Sequence, residues 1–86
     1  MTIDASEVAG TVTHALARMA GHDPADIGPR TRLFEDLAFD STGVLELLIE
    51  LETSLGIEFD AETLEPTDFE TVDSLVNYVS KQLQDG

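Results

Sequence analysis

The chain has 86 residues, 42% of them apolar, and its four basic against eighteen acidic side chains leave a formal charge of −14. That length supports one domain with a small hydrophobic core and argues against a walled reaction chamber and multi-step catalysis. The lack of cysteine removes disulfides and thiolate metal sites, and so acidic a surface repels nucleic-acid phosphates and anionic lipid while it steers basic proteins towards itself.

The charge is uneven. Residues 1–34 hold four acids and three arginines, whereas residues 35–86 hold fourteen acids and only Lys81. The N-terminus lacks a basic segment followed by an apolar one, and glutamates interrupt every apolar run, so the chain reads as soluble and cytoplasmic, without a membrane span.

In chain order, Val8, Val12, Ala15, Leu16 and Met19 recur at steps of three and four and predict a first helix over residues 4–20. Asp4 suits its N-cap, with Glu7 three residues on, and Gly21 its stop. Residues 22–40 form a long connection, broken by Asp23-Pro24 and Gly28-Pro29 but carrying Ile27, Leu33 and Leu37, which suggest that it is pinned to the core. Residues 41 to about 55 give the strongest helical signal: Val44, Leu48, Leu51 and Leu55 share one stripe, Leu47 lies beside it, and Gly56 follows as a stop. Leu45 and Ile49 occupy a neighbouring stripe, which fits either an exposed apolar edge or a wide core face. Glu46, Glu50 and Glu52 lie on the polar side. Asp60 can cap a short third helix, Ala61–Glu65, ended by Pro66, and Thr71 can cap a last helix carrying Val72, Leu75, Val76, Val79 and Leu83. No stretch alternates as a strand would, so the expected fold is all-α, a four-helix bundle with a long first loop and a short third helix, in a single domain spanning residues 1–86.

Few chemistries survive inspection. His14 and His22 lie eight apart with no third ligand, which argues against a metal site. Neither histidine is placed to activate a serine. Carboxylate pairs are expected by chance in a chain this acidic, and there is no calcium-loop or phosphate-loop pattern. What remains is Ser41, at the start of the strongest helix, where its hydroxyl can be reached by another protein's active site and where the helix amides and dipole favour an attached phosphate.

The segment Ala38-Phe39-Asp40-Ser41-Thr42, with Leu45-Glu46-Leu47, Leu51-Glu52 and Leu55-Gly56-Ile57 behind it, resembles the acyl carrier proteins and the related peptidyl carrier domains, and the likeness extends through Phe69, Thr71-Val72 and Tyr78-Val79. In that family a Gly-x-Asp-Ser-Leu segment precedes the second helix, and its serine carries 4'-phosphopantetheine transferred from coenzyme A. The resemblance implies that Ser41 is the attachment point and that the chain is not an enzyme. It also implies that Asp40, Thr42, Leu45, Glu46, Ile49 and Glu52 meet partner proteins, the acids facing basic patches. Three positions depart from the pattern: Ala38 stands for the usual glycine and would matter if that site needs a positive φ, Thr42 replaces an apolar residue, and Gly43 a common acid. Asp73-Ser74-Leu75 reproduces the tripeptide more closely, but only a short tail follows it, so no recognition helix could.

The resemblance further implies a monomeric carrier that holds acyl groups as thioesters on the arm. Its partners would be a phosphopantetheinyl transferase and acyltransferase, ligase or synthase enzymes of fatty acid, polyketide or related biosynthesis. The chain also reads as free-standing rather than as part of a megasynthase. Two alternatives stay open: an aminoacyl or peptidyl carrier loaded by an adenylating enzyme, and an unmodified acidic adaptor.

Overall fold

A computed structural model describes residues 5–59, 62 and 64–85. Among them are three α-helices, α1 (Ala5–Ala20), α2 (Ser41–Leu55) and α3 (Val72–Asp85), and no strand. Asp4, the expected cap of the first helix, lies outside the described residues. Val8, Val12 and Leu16 on α1, Val44, Leu47 and Leu51 on α2, and Leu75 and Val79 on α3 are almost fully buried, and α1 packs against both other helices. The apolar stripes read from spacing are thus the stripes that meet.

Gly21 (φ 74) and Gly56 (φ 69) close α1 and α2 in the left-handed conformation that glycine adopts without a Cβ penalty. At the second of these, the amides of Gly56 and Ile57 both donate to Glu52 O, at 2.8 and 3.2 Å.

The long connection is held as its apolar residues suggest. Ile27, Leu33 and Leu37 are buried. Its latter half is also stitched to the start of α3: Leu33 N donates to Glu70 O (3.2 Å), Val72 N to Thr31 O (3.0 Å) and Asp73 N to Pro29 O (2.9 Å), around an isolated antiparallel bridge between Arg32 and Thr71. These bonds satisfy amides that a loop crossing the core would otherwise leave buried and unpaired.

Between α2 and α3 the chain departs in part from expectation. Of the short helix expected over Ala61–Glu65, with Asp60 as its cap, residues 60, 61 and 63 lie outside those described. Pro66 opens a 3₁₀ turn, Pro66–Phe69, rather than ending a helix. Proline suits a first turn because its φ is fixed and its missing N–H would have no partner there, and Glu65 before it is extended (φ −111, ψ 155). Asp68 Oδ2 accepts from Glu65 N at 2.9 Å and fastens the turn.

Candidate functional site

Ser41 is the first residue of α2, and the chain reaches it through a tight turn. Asp36 N and Leu37 N donate to Arg32 O at 2.9 and 3.2 Å, and Asp36 Oδ2 accepts from Arg32 N at 2.8 Å. That amide above all holds the Asp36 carboxyl below its ordinary value; desolvation opposes it, and the guanidinium of the same residue adds a lesser lowering. Leu37 is buried, Ala38 takes a positive φ of 58°, and Phe39 N donates to Leu33 O at 3.0 Å. The position where Ala38 stands for glycine therefore does adopt the left-handed conformation.

Asp40 ends the turn as the N-cap of α2. Its backbone is extended (φ −118, ψ −177), and its Oδ1 accepts from Gly43 N at 2.7 Å. This satisfies one of the orphan amides of the first helical turn. A Cβ at residue 43 would stand 3.3 Å from that same carboxylate oxygen and 3.8 Å from the Phe39 ring. A side chain there would crowd the capping carboxylate by a few tenths of an ångström, while its contact with the ring would be ordinary.

The Ser41 side chain is exposed, and its hydroxyl has no hydrogen-bond partner among the described residues. Neither Ser41 N nor Thr42 N finds an acceptor among them. An exposed hydroxyl beside two unpaired amides at the positive end of a helix is a donor set that fits a phosphodiester. Ser74, the competing serine, is half-buried. Its hydroxyl lies 3.0 Å from Thr71 Oγ1, and its amide donates to that oxygen at 3.1 Å, so it belongs to the cap of α3.

The proposed contact residues separate into two groups. Thr42, Leu45, Glu46 and Ile49 are all exposed at helical spacing on one face of α2, with Leu45 52% and Ile49 62% accessible. The neighbouring stripe is therefore an exposed apolar edge and not part of the core. Asp40 is exposed but also serves as the cap. Glu52 is half-buried, and its Oε2 accepts from Phe59 N at 2.8 Å, which fastens the segment after α2 to the helix. Glu50 pairs with Arg18 of α1.

Sequence reasoning did not single out Phe34, which is 45% exposed, or the bond between Glu52 and Phe59 N. Phe34 lies in a loop, where periodicity gives no facing, and the Glu52 bond spans seven residues, beyond any cap motif. Among the described residues no three His, Cys, Asp or Glu side chains gather as a metal site, and no helix is long and apolar enough to cross a membrane.

Comparison with known proteins finds relatives over most of the chain. A family model for the phosphopantetheine attachment site matches residues 10–79. An acyl carrier protein of Rubrobacter xylanophilus is 32% identical over 77 residues, covering 90% of this chain and 93% of its own. Another, from Phytoplasma australiense, is 39% identical over 61 residues, 71% of this chain and 78% of its own. A meromycolate extension acyl carrier protein of Mycobacterium leprae is 25% identical over 81 residues, covering 94% and 69%.

Proposed function

The chain belongs to the phosphopantetheine attachment-site family of carrier proteins, with covalently attached 4'-phosphopantetheine as its cofactor, and from that premise we propose that Ser41 is the residue that carries the arm. The observation that supports this most is the contrast between the two Asp-Ser pairs: Ser41 is exposed and unpartnered among the described residues, while Ser74 is engaged in a cap. The transferase supplies the base and the coenzyme A. Ser41 would lose its proton to that base as its Oγ attacks the pantetheine-side phosphorus of coenzyme A; the pyrophosphate bond breaks, adenosine 3',5'-bisphosphate leaves, and the free amides of α2 would face the resulting phosphodiester. The bound arm ends in a thiol that can hold a carboxylic acid as a thioester. The turn over residues 32–40 fixes where the serine stands, and Asp40 fixes the first turn of the helix.

Residues 1–86 then act as a single carrier domain, monomeric and cytoplasmic, that presents acyl intermediates to acyltransferase, ligase or synthase enzymes of fatty acid, polyketide or related biosynthesis and does no catalysis itself. Thr42, Leu45, Glu46 and Ile49 form the face on which those partners dock, with Asp40 at its upper end. A basic patch would meet Asp40 and Glu46 while Leu45 and Ile49 fill an apolar recess. Glu52 contributes charge to this face but is held by Phe59 N, so its first role is to fasten the chain.

Incubation with coenzyme A and a promiscuous phosphopantetheinyl transferase, read by intact mass, tests the assignment. The native chain and Ser74→Ala gain the arm, and Ser41→Ala gains nothing. Modification that persists in Ser41→Ala overturns the assignment to that residue. The mass of the protein isolated from its host identifies the cargo, an acyl group on this reading.

A further inference from the structure

A second apolar surface lies away from α2, where the first loop meets the 3₁₀ turn. Leu33 is fully buried and its amide is held by Glu70 O, which turns the next side chain outward. Phe34 therefore stays 45% exposed and leans on Phe69, with ring centroids 5.6 Å apart and planes at 49°. Around it Arg32, Glu35, Pro66, Thr67 and Glu70 line a groove of about 300 Å³.

The groove is negative despite its arginine. Arg32 Nη1 lies 2.6 Å from Glu35 Oε2 and its Nε 3.5 Å from Asp36 Oδ2, so one guanidinium faces two carboxylates, and Glu70 adds a third. An aromatic floor with a rim of excess carboxylate matches one kind of side chain well: a long aliphatic stem ending in a cation. A second copy of a chain with charge −14 would be repelled. No residue of α2 lines the groove, so it is separate from the face on which Leu45 and Ile49 lie.

We infer that this groove is a second docking site, which takes an arginine side chain of a basic protein partner, the stem laid on Phe34 and Pro66 and the guanidinium against Glu35 and Glu70. The identity of that partner as an enzyme using the arm rests on the carrier reading; the groove and its charge do not. Two separate contacts on one small domain would set the orientation of a bound enzyme, which one helix face alone leaves free to rotate.

The test uses the full ¹⁵N-labelled chain carrying Asp40→Asn, Leu45→Ser, Glu46→Gln and Ile49→Ser, so that both the charged and the apolar contacts of the α2 face are removed, titrated with a helical peptide of alternating arginine and leucine turns. The amides of Phe34, Glu35, Thr67 and Glu70 shift saturably. Affinity falls about threefold or more in Phe34→Ser and again in the Glu35→Gln, Glu70→Gln pair, which leaves the aromatic packing intact. The inference is overturned if these amides do not move, if the same peptide with glutamate for arginine binds equally, or if they move with protein concentration alone, which marks self-association. It is also overturned if an octanoyl group loaded on the arm shifts Phe34 and blocks the peptide, since the groove then belongs to the cargo. Mass gain at Ser41 is read in parallel on the chain with Asp40, Leu45, Glu46 and Ile49 intact: peptide binding without modification there leaves this site standing and removes the assignment of the arm to Ser41.

Discussion

Ala38 holds φ 58°, a conformation that costs a residue with a Cβ about 1–2 kcal/mol. The turn keeps it there because its surroundings leave little choice: Leu37 is buried on one side, and Phe39 N is bound to Leu33 O on the other. Ala38→Gly removes that cost but gives the unfolded chain more freedom, so the net gain is up to about 1 kcal/mol, or several degrees in Tm. Thermal unfolding checks this, and a lower Tm would show that the turn is not strained. Asp36 is the second residue whose state the turn sets. Its carboxyl is held below the ordinary value, first by the Arg32 amide, so its contribution is present above the pKa of an unfolded aspartate and is lost as pH falls through the depressed one. Because the amide outranks the guanidinium, an NMR titration of Arg32→Gln should still find Asp36 below the ordinary aspartate value. A return to that value would assign the effect to the side chain instead.

At the scale of the element, α2 has to be capped at the end where it is modified and exposed along the side where it is read. Asp40 serves the first need through its bond to Gly43 N and is offered as a docking charge for the second. The two roles part under mutation. Asp40→Ala loses the cap and about 1 kcal/mol of stability, whereas Asp40→Asn keeps an equally good cap. If Asp40 also docks partners, Asp40→Asn retains Tm while its KM for the transferase rises; an unchanged KM would leave Asp40 as a cap alone. Gly43 costs the helix up to about 1 kcal/mol in propensity, and the tight contact that a Cβ there would make is with the capping Asp40 carboxylate, at 3.3 Å. Nothing in the structure explains the choice of Thr42 beside the serine beyond its place on the exposed face.

For the whole molecule the governing quantity is charge. Fourteen acids stand against Lys81 alone in residues 35–86, and few are neutralised by pairing among the described residues. Their repulsion opposes folding and is screened by salt over about 8–10 Å at physiological ionic strength. Raising sodium chloride from low to molar concentration should therefore raise Tm by about 4–8 °C, the equivalent of about 1 kcal/mol; a Tm independent of salt would mean that the acids are spaced too far apart to interact. The sequence by itself determined the three long helices, their buried stripes, the glycine stops and the serine at the head of α2. Those features follow from spacing and from preferences that act within a few residues. Only the tertiary structure decided that Leu45 and Ile49 face outward, that Ala38 is left-handed, that Glu52 is tied to Phe59 N, and that Phe34 stays half-exposed on Phe69. Spacing shows which residues share a face, but whether that face is covered depends on segments remote in the chain. Here α1 packs on one side of α2 and leaves the other open, and the backbone stitching of residues 29–33 to residues 70–73 sets which loop side chains turn in and which turn out.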